Sequence, residues 1–482
     1  MKSLNKAPKV LFSIIAIQIQ GVWMAKKYLF YDQKQSLIMP PNLNDWLPKD
    51  HLARFISDVV DGLDISTILR YYEQEERGAP SYNPRMMVKV RIYADAVGMP
   101  SSRKIANGMH DDMGLRYLGA GNFPDFRTIS DFRKIHHERL AQLFLQVLEL
   151  CKQAGLVKMG TVAIDGTKMK ANASKDKNYG LEALEKKEQK ELEKIARKII
   201  EDGIKVDEEE DREFGPDNKG YGIPEDALEK VRRALKELEE KKRKKMEDYN
   251  KNMEDRKKEE EETGKKLRGR KPKHPDQIQL DPETGKKKEP KANTTDPDSR
   301  LMKSRNGFVQ GYNAQASVDA DTHIILASEV TQDCNDKLQL KPMLDKTIEN
   351  TGKVPKQGTF DAGYDNEDQI SQYRDRIDLY IPTQKDWKQR EAMRKQPPPR
   401  GRIPKNMTNR ERMDRKLLTK KGKKIYKKRC CSVETVFGII KSAMGLDKFL
   451  LRGKDKCDSE WKMYCTGFNV LKLWRNSQKA KA

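Results

Sequence analysis

The chain has 482 residues, 36% hydrophobic and 35% charged, with a formal net charge of +23. That length allows two or three domains and a sizeable core. A mean hydropathy of −0.90 and a pI near 9.4 imply long solvated segments and a polyanionic partner, nucleic acid first. The six cysteines form no C-x-x-C pair and no Cys/His ligand spacing, which speaks against a zinc site or a disulfide framework and for the reduced thiols of a cytosol. No segment approaches a membrane-spanning length.

At the N-terminus, "KVLFSIIAIQIQGVWMA" imitates a signal peptide, but glutamines interrupt its apolar run. Domain-like sequence opens at Met24, so residues 1–30 read as an extension with Met1 or Met24 as its start. Residues 31–155 read as a helical domain. In "DWLPKDHLARFISDVVDGLD" the apolar residues Leu52, Phe55, Ile56, Val59 and Val60 recur at helical spacing. "NPRMMVKVRIYADAVG", "SSRKIANGMHDD" and "TISDFRKIHHERLAQLFLQVLELCKQAG" follow as further helices, the last two opened by Ser or Thr caps. The short helices around Arg103 and Arg133 predict a helix-turn-helix-like unit that presents Arg103, Lys104, Arg127, Arg133 and Lys134 to a phosphate backbone. Ordinary helix surface is the competing reading.

Thr161 to Ile164 form a short run of strand formers ended by Asp165, with Lys168 and Lys170 just beyond. Strand alternation sets these lysines on the face opposite Asp165. At about 175–298 the chain turns to Lys and Glu at i,i+4 spacing, with Leu181, Leu184, Leu192, Ile195 and Ile199 as a seam. This predicts a charged helical insertion, folded as a hairpin and followed by a Pro- and Lys-rich loop. Strand patterning returns where Tyr312, Ala314, Ala316 and Val318 alternate with Asn313, Gln315, Ser317 and Asp319, and again in "HIILASEV". Asn335 and Asp336 read as a helix cap, "KQGTFDAGYDNED" as a short strand and tight turn at Gly363, and "DLYIPTQ" as a last strand before closing helices.

Without the insertion, three early strands precede helix-connected ones, which describes a mixed α/β sheet in the order of the ribonuclease H fold. In such a sheet Asp165 and Asp361 end strands that can lie side by side. A third acid, Glu434, lies beside the apolar stripe Val433, Val436, Phe437, Ile440 and Met444, with Gly438, Lys441 and Gly445 on its own stripe. Three carboxylates suit magnesium, and two ions can serve both the attacking and the leaving oxygen of a phosphodiester. Asp165, Asp361 and Glu434 are the expected ligands of two Mg²⁺, with Mn²⁺ as a substitute. His136, His137 and His323 do not read as ligands.

The motifs "VAIDGTKMKANAS", "GYNAQASVD", "TFDAGYDNED" and "VETVFGIIKSAMGLDKFLLRG", in that order, resemble the DDE transposases of bacterial insertion sequences. The helical segment resembles the N-terminal domain of that group. The resemblance implies a ribonuclease H-like catalytic domain at 156–482, Asp165, Asp361 and Glu434 as the catalytic triad, and an enzyme that cleaves the ends of its element and joins the 3′-hydroxyl to target DNA. It implies terminal inverted repeats and target DNA as partners, a homodimer in the DNA complex, and a place in the bacterial cytoplasm. It further implies that "YKKRCCSVETVFGIIK" matches the Tyr, Arg, Glu, Lys signature, making Tyr426, Arg429 and Lys441 DNA contacts. Four residues, Cys430 to Val433, stand between Arg and Glu where that signature has three. A DNA-binding protein without catalysis and a structure-specific nuclease of the same fold are the alternatives.

Overall fold

The computed structural model describes residues 42–73, 81–192, 194, 225–263, 274, 291–304, 307–383 and 406–481, with isolated positions between 391 and 404. The N-terminal run and the choice between Met1 and Met24 lie outside these residues. The chain divides into two units, up to Pro48 and from Lys49 onward. In the first, one helical turn, α1 (Leu43–Trp46), is closed by a capping box between Asn42 and Asp45.

The second unit opens with helices α2 (Leu52–Asp61), α3 (Ser66–Glu73), α4 (Pro84–Ala96), α5 (Ser102–Asp111), α6 (Met113–Gly119), α7 (Phe126–Ile135) and α8 (His137–Gln153). Their starts follow local chemistry. The Asn83 side chain accepts from Arg85 and Met86 N–H with Pro84 in the first turn, and Asp125 accepts from Arg127 and Thr128 N–H. The apolar stripe of α2 turns inward, burying Leu52, Ile56 and Val60. The helix expected to run unbroken from Thr128 divides at His136, whose ring is buried and within 3.1 Å of the Tyr72 hydroxyl.

A mixed α/β architecture follows. The main sheet runs β4 (Arg300–Ser304), β5 (Gly307–Asp319), β1 (Thr161–Lys170), β7 (Gln357–Thr359), β8 (Asp378–Tyr380), with β6 (Ile325–Thr331) also paired to β5. β1 is antiparallel to β5 and parallel to β7, and β7 is parallel to β8. Strand β4 was not expected from the sequence. Helices α10 (Leu340–Thr351) and α11 (Glu367–Tyr373) connect the later strands, and α12 (Asn409–Leu418), α13 (Lys420–Ser442) and α14 (Lys454–Lys481) close the chain. Helix α10 starts after Gln339, so Asn335 and Asp336 do not cap it.

Helix α14 ties the helical segment to the sheet. Its Trp461 Nε1 donates to Gln315 O, Asn469 exchanges two hydrogen bonds with the Ile325 backbone, and Trp474 Nε1 donates to Asp50 O. In the insertion, residues 181–192 and α9 (Glu225–Thr263) are helical, and Leu184 packs against Val231, Ala234 and Leu238. The two-residue strands β2 (Asn178–Tyr179) and β3 (Ala292–Asn293) pair at its base. Leu181 joins this seam, Leu192 is exposed, and Ile195 and Ile199 lie outside the described residues.

Candidate active site

Asp165 does not end its strand, as the sequence suggested, but sits in the middle of β1. The physical reason is the length of β5, which offers a backbone partner at every position from Val162 to Lys170. The far end of that pairing depends on Gly311: a side chain there would begin 2.0 Å from Met169 O. The strand therefore runs through Gly166, which faces Gln315, while Asp165 faces Ala316.

The parallel register pairs Ala163 with Thr359, each two residues before an acid, and the charge of Asp361 acts on Asp165. Asp361 is held by its own turn, its Oδ1 accepting from Gly363 N–H at 2.6 Å. Glu434 comes from α13, whose Val433, Val436, Phe437 and Ile440 are buried as the stripe predicted. Beside it a side chain at Gly438 would meet nothing within 4 Å, so this helix face is bare.

Arg429 joins two of these acids. Its Nη1 donates to Asp165 Oδ2 at 2.6 Å and its Nη2 to Glu434 Oε1 at 2.8 Å. The extra residue in the signature does not stop Arg429 from reaching Glu434. Arg429 is only 8% exposed, and its Nε has no hydrogen-bond partner among the described residues. Burial pushes Asp165 up to about 7; Arg429 pulls the other way, and the charges of Asp361 and Asp336 add to the rise. Burial opposes the charge of Arg429, yet Asp165, Tyr426 and Glu434 raise its pKa further.

A fourth carboxylate, Asp336, stands in the same region and was not among the expected site residues. Its Oδ1 accepts from Asn313 Nδ2 and Gln315 Nε2 at 2.6 Å each, and the buried Tyr364 hydroxyl donates to Gln315 Oε1. The sequence did carry a signal. Asn313 and Gln315 alternate with apolar residues as a solvent-facing set would, but both faces of β5 are covered and both amides are wholly buried. Buried amides need partners.

Among the described residues, no group of three or more histidines, cysteines or carboxylates is placed to hold a metal ion as it stands. Arg429 supplies the positive charge between Asp165 and Glu434 instead. The chemistry of the donors nonetheless fits a hard divalent cation: carboxylate oxygens, plus Asn313 Oδ1, which is buried without a partner among the described residues. Glycines line the region as well. A side chain at Gly363 would begin 2.8 Å from Asp361 Oδ1, and one at Gly166 2.5 Å from Asp336 Oδ1.

The residues expected to touch DNA divide into several environments. Lys441 Nζ donates to Thr167 Oγ1 at 2.5 Å and to Lys168 O at 3.2 Å, so it lies against the strand that carries Asp165. Tyr426 lies 5.9 Å from the Arg429 guanidinium. Lys168 pairs in register with Asn313, and its Nζ is buried without a partner among the described residues, whereas Lys170 is exposed, 3.9 Å from Asp447. Arg103 and Arg127 are exposed and flank the Phe126 ring at 4.9 and 5.7 Å. Arg133 does not face outward: it is buried against Glu460 at 3.9 Å, because α14 covers that side of α7.

Among the described residues, no helix is long and apolar enough to cross a membrane. No curated protein and no solved structure matches the chain. Two family models do match, the Transposase domain (DUF772) over residues 41–135 and the Transposase DDE domain over residues 388–474. The first spans α1 to α7, with Arg103 and Arg133; the second spans Tyr426, Arg429, Glu434 and Lys441. A transposase domain toward each end of the chain, the second of them a DDE domain, is consistent with a DDE transposase of insertion-sequence type.

Proposed function

We propose that this DNA transposase cleaves the ends of its own insertion sequence and joins the freed 3′-hydroxyl to target DNA, with Asp165, Asp361 and Glu434 as its catalytic triad. The observation that carries this reading is the convergence of β1, the turn after β7 and α13, bringing Asp361 within electrostatic reach of Asp165 and Glu434 onto the same Arg429 guanidinium as Asp165. The strand order β6, β5, β1, β7, β8, with β5 antiparallel and β7 parallel to β1, supports a ribonuclease H-like catalytic domain from 156 onward.

Asp165, Asp361 and Glu434 would hold Mg²⁺ or Mn²⁺, two ions per site. Such ions, when bound, act as Lewis acids on the phosphodiester and neutralise charge developing on its oxygens. In the cleavage step water attacks phosphorus and the bond to the 3′-oxygen breaks, leaving a 3′-hydroxyl. In the joining step that hydroxyl attacks a target phosphodiester, so bonds are exchanged without a net change in their number. Lys441, against β1, and Tyr426 orient the strand, and Arg429 leaves its ion pairs to meet a phosphate, two of whose oxygens its planar guanidinium can hold at once. Lys170, which is exposed, extends this path, whereas the buried Lys168 ammonium does not reach it. In the helical segment, Arg103 and Arg127 hold the terminal inverted repeat through its backbone. Two ends require two active sites, hence a homodimer on DNA.

The test is cleavage of a labelled fragment carrying the gene's flanking ends, with Mg²⁺ or with EDTA, wild type beside Asp361→Asn. Mg²⁺-dependent release of a 3′-hydroxyl, lost in the variant while DNA binding persists, is the expected result. Binding without cleavage by either protein would leave a DNA-binding protein without catalysis.

A further inference from the structure

Asp336 lies between β6 and α10, and its carboxylate is turned toward the sheet. Its two oxygens do different things. Oδ1 is fixed by Asn313 Nδ2 and Gln315 Nε2, while Oδ2 takes no hydrogen bond among the described residues. Asp336 Oδ2 and Asp361 Oδ1 stand 3.4 and 2.8 Å from one point, the place where a Gly363 side chain would begin. Only the missing side chain leaves that space open.

A second observation is independent of the carboxylates. Asn313 is wholly buried, yet its Oδ1 has no partner among the described residues. That oxygen lies 2.8 Å from the position a Gly166 side chain would take, where Gln315 Nε2 lies at 2.2 Å and Asp336 Oδ1 at 2.5 Å. A buried amide oxygen without a donor is costly, and an amide carbonyl beside carboxylates is a ligand type that Mg²⁺ and Mn²⁺ accept.

We propose that Asp336 is a fourth acid of the active site and presents Oδ2 to the divalent cation held by Asp361. This rests on the reading of Asp165, Asp361 and Glu434 as a metal site. The competing role is structural, with Asp336 only pinning β5 through the two amides.

Asp336→Asn separates the two roles. An asparagine can keep its Oδ1 toward Asn313 and Gln315 and replace Oδ2 alone by an NH₂ group. Mn²⁺ binding to the metal-free full chain, followed by the electron paramagnetic resonance signal of free Mn²⁺, is compared for wild type, Asp361→Asn and Asp336→Asn. The expected result is loss of binding in Asp361→Asn and at least ten-fold weaker binding in Asp336→Asn, whose melting midpoint in EDTA stays at the wild-type value. Wild-type affinity in Asp336→Asn, beside loss in Asp361→Asn, overturns the role of Asp336 and leaves the metal site standing. A wild type that takes no Mn²⁺ overturns both.

A second measurement needs no variant. Fe²⁺ with ascorbate and peroxide cuts a backbone next to the bound ion. Cuts at both Asp361 and Asp336 in wild type are expected, and cutting at Asp361 with none at Asp336 refutes the proposal.

Discussion

Arg429 and Asp165 form an ion pair at 2.6 Å although 264 residues of sequence separate them. The pair sits where Asp361 and Asp336 also raise the pKa of Asp165, so the guanidinium carries the charge compensation of the site. Breaking a buried pair by removing one partner typically costs about 3–5 kcal/mol. Asp165, already pushed up to about 7, can take a proton and recover part of that. Arg429→Ala is therefore expected to lose about 2 kcal/mol of stability in EDTA. Mn²⁺ should raise the melting midpoint of the variant more than that of wild type, because a cation can replace the lost charge. Equal shifts in the two proteins would show that Arg429 and the ion do not compete.

Lys441 is held by Thr167 Oγ1 and Lys168 O, and burial lowers its pKa with Lys170 adding to the effect. A lysine held against the strand that carries Asp165, on the helix that carries Glu434, is well placed to meet a phosphate. Lys441→Ala should cost about 1 kcal/mol of stability or less. Affinity for an element end should fall, and the slope of log affinity against log salt should shrink by about one. An unchanged slope would make Lys441 a structural residue only.

The basic residues of the helical segment should respond in two different ways. Arg103→Ala with Arg127→Ala removes two exposed charges around Phe126, and is expected to weaken DNA binding while melting stays within about 0.5 kcal/mol of wild type. Arg133→Ala leaves Glu460 buried without this partner, and is expected to destabilise the fold by about 3 kcal/mol. Urea unfolding beside a binding titration distinguishes them.

His136 supplies a pH dependence. Burial holds its pKa down at about 4, with the charge of Arg139 adding to the effect, against an ordinary 6.5 in the unfolded chain. Between those values the unfolded chain binds more protons than the folded one. The stability present above pH 6.5 is therefore lost as pH falls toward about 4. His136→Phe, placed among the rings of Tyr71, Tyr72 and Phe132, should remove this part of the slope. Urea midpoints of both proteins across that window give the comparison, and parallel curves would contradict it.

Gly311→Ala tests how β1 is continued. Its new carbon would lie 2.0 Å from Met169 O, so strand or backbone must move. A loss of about 3 kcal/mol is expected, together with faster amide exchange at Met169 and Lys170.

Asp165, Asp361 and Glu434 were legible as candidates because each sits beside a local pattern, a strand run, a tight Gly363 turn or an apolar helical stripe. Those patterns depend on neighbours a few residues away. Where Asp165 falls in its strand was not legible, since the continuation through Gly166 depends on pairing with β5. The burial of Arg133 was hidden for the same reason: the covering helix α14 begins at Lys454.

The sequence by itself determined the charged insertion, the helical N-terminal segment, the order of elements around the sheet and three acids on separate elements, all consequences of composition and short-range periodicity. Only the tertiary structure decided that Arg429 stands between Asp165 and Glu434, and that Asn313 and Gln315 reach Asp336 from a face of β5 that is buried rather than wet. Those contacts join positions far apart in the chain. They are set by strand register and by which helix covers which face, and neither is written in the spacing of residues along one element.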